Sequence, residues 1–156
     1  MQRRGFTIIE LMVVILLIGI ITAMGLPRFL RSPTPLAQDF TQRLNVLMTE
    51  AIGQAQKEGE PRRIFFNLAS GMVEMQTQSG KRLAGTVEIP APIEIIEVVI
   101  NGENQFQRGG GRTFYFLINA EGVCQEVLLS LEEKKLSATV LYTFYLNPFS
   151  GVFRLA

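Results

Sequence analysis

The sequence predicts an α+β protein in which a long N-terminal transmembrane and stalk α-helix precedes an antiparallel β-sheet or β-sandwich. Three observations carry this. Leu11 to Leu26 holds no charge and a single hydroxyl, Thr22. Apolar residues then recur at helical spacing as far as Ala55, and from Arg62 onward the pattern changes to short β-type runs separated by turn residues. A chain of 156 residues has room for one modest domain and such an appendage, with helix first and strands after.

Composition narrows the function classes. Fifteen Lys and Arg against fourteen Asp and Glu nearly cancel, so overall charge argues for neither nucleic acid nor an acidic partner. Histidine is absent and Cys124 is the single cysteine, so an internal disulfide, a Cys–His metal cluster and Ser–His–Asp chemistry are all excluded. No Ser–Lys or two-carboxylate site stands out. The expectation is a non-enzymatic protein with no catalytic residue, no metal and no cofactor.

The first elements are a short basic leader and an apolar helix. Phe6 to Leu26 covers 21 residues, roughly 30 Å of helix and enough to cross a bilayer. Arg3 and Arg4 precede it, so the positive-inside bias keeps the N-terminus cytoplasmic and sends the C-terminal bulk outward, into the periplasm of a bacterium. A secretory signal peptide would need small residues after the run, and Gly25-Leu26-Pro27-Arg28 is a poor cleavage site. A plain anchor explains the span but not Glu10. A carboxylate four residues into the apolar segment costs about 2.5–3.5 kcal/mol, less near an interface. Complementing the helix dipole returns only about 0.3–1 kcal/mol. A dedicated cation is the better explanation for an acid there.

Pro27 then marks a helix break or end at the membrane surface. Thr34 reads as an N-cap with Pro35 at the first helical position. Leu36, Phe40, Leu44, Leu47, Met48, Ala51 and Ala55 follow on one face, with Gly59 closing the segment, so 27–59 is expected to continue the stalk. In 60–156 the expected strands are 63–68, 72–77, 93–100, 112–119, 123–131, 138–146 and 151–155, the first two forming a hairpin. Glu132-Glu133-Lys134-Lys135 reads as a solvated turn, and Cys124 as a small buried hydrophobe.

The N-terminal residues resemble the type IV pilin superfamily, whose processing site is Gly, then Phe, then Thr-Leu/Ile-Ile/Val-Glu and a long apolar helix. Here it reads Gly5, Phe6, Thr7-Ile8-Ile9-Glu10, Leu11 onward. The resemblance implies that prepilin peptidase removes residues 1–5 by cutting after Gly5 and methylates the new amino group of Phe6. It implies that Glu10 supports methylation and pairs with the amino group of a neighbouring subunit. Expected partners are other pilin or pseudopilin subunits, prepilin peptidase, an inner-membrane assembly platform and membrane lipid, in a filament whose globular parts are periplasmic.

The rest resembles H-type minor pseudopilins of type II secretion systems and related minor pilins, which often end in an Asn/Asp-Pro-x-x-Gly turn; compare Asn147-Pro148-Phe149-Ser150-Gly151. Major pilins usually carry a C-terminal disulfide, which this chain cannot form. Major pseudopilins tend to have acidic calcium ligands there, whereas only Arg154 is charged after Lys135. Both differences favour a minor subunit. Minor pilins that prime pilus assembly or DNA uptake are the neighbouring expectation, and a non-polymerising periplasmic binding module is the alternative of another class. Arg108-Gly-Gly-Gly-Arg112 has no P-loop context and reads as a flexible loop, with Arg108 and Arg112 kept as candidate DNA contacts. Phe114-Tyr115-Phe116 and Tyr142 to Tyr145 suggest stacking platforms less readily than core residues.

Overall fold

A computed structural model describes residues 8, 9, 11–17, 35–106, 112–135 and 138–156. The chain divides into two compact units, Met1–Thr34 and Pro35–Ala156, each described by itself. Gly5, Phe6, Glu10, Arg3, Arg4, Pro27, Thr34 and Arg108 all lie outside the described residues.

The second unit opens with helix α1 (Leu36–Glu58). Its apolar residues fall on one face, and Phe40, Leu44, Met48, Ala51 and Ala55 are fully buried. Each large side chain so placed contributes about 1.5–3 kcal/mol. Pro35 occupies the N-cap position, not the first helical turn: its ψ of 136° is extended, and its carbonyl accepts the N–H groups of Gln38 and Asp39. Gly59 ends the helix in the left-handed region at φ 67°, its N–H bonded to the Ala55 carbonyl.

Among the described residues, nine antiparallel strands follow in two sheets. They are β1 (Arg62–Asn67), β2 (Met72–Thr77), β3 (Arg82–Glu88), β4 (Ile93–Ile100), β5 (Glu103–Asn104), β6 (Thr113–Ile118), β7 (Val127–Lys134), β8 (Thr139–Leu146) and β9 (Phe153–Leu155). One sheet has the order β3-β2-β1-β6 and the other β5-β4-β7-β8-β9. The helix packs on β1, β3 and β6 of the first sheet and on β7 and β9 of the second. In the core the Phe66 and Phe114 rings stack at 4.5 Å, and Phe116 meets Phe153 edge-on at 6.3 Å, joining the two sheets.

Besides the place of Pro35 and the unexpected two-residue β5, three features correct the sequence reading. Strand β3 was not expected; it is an edge strand with mostly exposed residues and Gly85 at its centre, so it lacks a clean alternation. The expected strand 123–131 begins instead at Val127, because Cys124 bridges to Ile118 before the chain crosses to the other sheet. The charged run 132–135 is no solvated turn. Glu132 to Lys134 pair along β8, and Glu133 is buried because it lies on the core face at the head of α1. There its Oε2 accepts the Ala37 N–H at 3.4 Å, a carboxylate at the positive end of the helix. Lys134 points outward to Glu94, with Nζ 2.6 Å from Oε2. That hydrogen bond and charge lower the Glu94 pKa and raise that of Lys134.

Candidate assembly site

Residues 8, 9 and 11–17 are helical, although Ile and Val dominate and stiff β-branched side chains favour strands in water. A helix satisfies its own backbone, which is the requirement wherever water is excluded. Exposure runs from 42 % at Val14 to 80 % at Ile8 and spares no face. This segment has no polar side and no buried side. Such a surface suits lipid or other apolar helices, not a core of its own. Among the described residues no helix is long and apolar enough to cross a membrane.

Of the candidate DNA contacts, Arg112 is exposed just before β6, and its carbonyl accepts the Leu68 N–H at 2.7 Å. The aromatic runs divide as strand alternation dictates. Phe114, Phe116 and Phe144 are buried, whereas Tyr115 is 49 % exposed with the Arg63 guanidinium 4.9 Å from its ring centre. Half-buried Phe65 lies opposite Tyr115 on β1, with the same guanidinium 5.6 Å from its ring centre. Cys124 is buried, and loss of solvent pushes its thiol up to about 11. Among the described residues no group of three His, Cys, Asp or Glu side chains is placed to hold a metal ion.

Sequence reasoning missed two groups that set the domain's architecture. Asn45, on α1, donates through Nδ2 to the Phe153 carbonyl at 3.1 Å and accepts the Phe153 N–H through Oδ1 at 2.7 Å. The side-chain amide thus imitates a neighbouring strand and caps the edge of β9. Arg62 is 1 % exposed and ion-paired to Glu58 and, at 3.4 Å, to Glu60, which ties the end of α1 to β1. Asn45 meets Phe153 across 108 positions, which no local pattern announces, whereas Glu58 and Arg62 stand four residues apart, a local signal.

A family profile described as the prokaryotic N-terminal methylation motif matches residues 1–26. No curated protein matches the sequence. Among solved structures the fold is similar to the minor pseudopilin EpsH from the type 2 secretion system of Vibrio cholerae, with a TM-score of 0.53 at 11 % identity, covering 77 % of this chain and 94 % of that one. It is also similar to the type IV minor pilin FimU of Pseudomonas aeruginosa, with a TM-score of 0.50 at 13 % identity, covering 76 % and 87 %. At such identities the likeness concerns the fold. The chain thus carries a prokaryotic N-terminal methylation motif over residues 1–26 and, beyond it, a fold similar to those of EpsH and FimU.

Proposed function

We propose that the chain is a structural minor pseudopilin of a type II secretion system. It is cut after Gly5, methylated at Phe6 and built into a periplasmic filament through residues 6–26. The observation that carries this is the coincidence of the methylation motif over 1–26 with an EpsH-like fold in the remainder. The exposed apolar side chains of residues 8, 9 and 11–17 support it, since such a surface suits apolar neighbours. Glu10 then acts as an electrostatic key. Cleavage creates an α-amino cation, and a carboxylate in an apolar setting is stabilised by pairing with that cation on an adjacent subunit, which fixes axial register.

The FimU likeness favours a second reading, a minor pilin that primes pilus assembly. Deleting the gene in its own host separates the two. Lost exoprotein secretion with intact twitching and DNA uptake supports the pseudopilin, and the opposite pattern supports the minor pilin. Glu10→Leu tests both against a monomeric anchor. Filament incorporation should fall to background in either assembly reading, while a monomeric anchor inserts as well or better.

A further inference from the structure

A sheet ends in strands with one unpaired edge, and an open edge accepts a further strand unless something blunts it. Among the described residues this domain blunts three of its four sheet edges. The register of β3 shifts between Glu74 and Gln76 of β2, and Arg82 and Glu88 put charges along it. Strand β5 is two residues long, and Asn45 clasps β9 at Phe153. The fourth edge, β6, has none of these devices. Thr113 to Ile118 holds no charge and no proline, and it pairs with β1 residue for residue without a bulge.

The register decides which backbone groups this edge offers. The Leu68 N–H donates to the Arg112 carbonyl at 2.7 Å, which makes 68 and 112 a hydrogen-bonded pair. Alternation then turns the N–H and C=O of Phe114, Phe116 and Ile118 towards β1, and those of Thr113, Tyr115 and Leu117 outward. Leu117 already has a strand-like partner. Its N–H donates to Gln125 Oε1 at 2.8 Å, and its carbonyl accepts the Gln125 N–H at 3.0 Å. The outward groups of Thr113 and Tyr115 have no hydrogen-bond partner among the described residues. They repeat at about 6.8 Å, the spacing that another extended main chain matches.

A cleft of about 480 Å³ lies beside this row, with Tyr115 and Leu117 on one side and Ile100, Asn101 and Gln105 on the other. That far wall favours a single extended segment over the edge of a second folded sheet. Arg63, also on the lining, supplies the charge. Its Nε donates to Gln76 Oε1 at 2.8 Å, and its guanidinium lies 4.9 Å from the Tyr115 ring centre. Among the described residues it has no ion-pair partner. We propose that β6 binds an extended acidic peptide segment of another protein by strand addition. The incoming main chain pairs with Thr113 and Tyr115, and an acidic side chain pairs with Arg63. The site uses no residue before Arg63, so it stands independently of the subunit reading.

The test presents the full chain, in detergent micelles, with a displayed library of random nine-residue peptides. It should enrich proline-poor, β-branched sequences that carry an acid. A synthetic copy of an enriched peptide should protect the Thr113 and Tyr115 amides from hydrogen exchange, whereas those of Phe114 and Phe116 are protected with or without it. Methylating the backbone nitrogens of the peptide one at a time should weaken binding at least tenfold at every second position and little between. Arg63→Gln should weaken the acidic peptide at least tenfold and leave a version with the acid replaced by its amide unchanged. Thr113→Pro removes an outward N–H that β1 does not use, so it should abolish binding with melting unchanged. The methylation series carries the same test should that variant not fold. No enriched peptide, losses without a period of two, Thr113 and Tyr115 amides already protected in the free chain, or acidic binding indifferent to Arg63→Gln would each overturn the proposal. So would β6 pairing with the β6 of a second copy. A chain left uncut after Gly5 that still binds the peptide would sink the subunit reading and leave this site standing.

Discussion

Two helical segments of this chain use apolar residues in opposite ways. In residues 11–17 every side chain is apolar and none is buried. In α1 eight residues are buried along one face, and Gln42, Arg43, Glu50 and Lys57 are exposed on the other. The amphipathic helix satisfies its apolar surface within its own domain. The described residues of the uniformly apolar one bury none of their side chains, a surface that suits apolar surroundings. The difference separates folding from assembly: changes in α1 should act on domain stability, and changes near the N-terminus on partners.

The largest expected effect breaks the comparison on the folding side. Phe40→Ala should lower the stability of Pro35–Ala156 by about 3–5 kcal/mol, because it empties a fully buried site between the helix and the sheets. Leu16→Ala in the full chain should leave the melting of that domain unchanged, since Leu16 is 63 % exposed. Equal losses from both would erase the distinction. Next, Asn45→Ala should cost about 1–3 kcal/mol in urea denaturation, by leaving the Phe153 backbone groups without their partners. Gly151→Ala should cost about 1–2 kcal/mol, because φ 62° is unfavourable for any residue with a Cβ. The added carbon would also sit 2.1 Å from Ile52 Cδ1 unless that side chain moves.

The smallest effect is a pH dependence. The Cys124 thiol is raised by burial from 9.0 to about 11, so the folded state holds its proton more tightly than the unfolded chain does. Its contribution is fully present below pH 9 and is lost as pH rises from there towards 11. Urea midpoints at pH 8 and pH 10.5 should therefore fall further for the natural chain than for Cys124→Ala. Equal falls would show that the thiol titrates normally.

How much of this was legible depends on the range of the interactions. Strands β2 and β4 were read to the residue, because apolar runs bounded by Gly71 and by Asn101-Gly102 are local signals. The amphipathic face of α1 was legible for the same reason. Strand β3 was not, since its Gly85 is accommodated by close approach to Leu47 of the helix, which no local pattern reports. Glu133 looked solvated beside three other charges, yet it is held at the helix head by Ala37, 96 positions earlier in the chain. The candidate site divides likewise. Gly5, Phe6 and Glu10 form one contiguous motif and stand out from sequence alone. Thr113 and Tyr115 read as ordinary strand residues, and only the fold shows that their strand ends a sheet with their outward backbone groups open.

The central claim, that the N-terminus is a processed assembly element, is tested most directly by the mass of the N-terminal peptide of the membrane-bound protein in cells that contain prepilin peptidase. The account predicts a chain starting at Phe6 and one methyl group heavier than the sequence requires. An intact Met1, or a cut beyond Leu26, would contradict it.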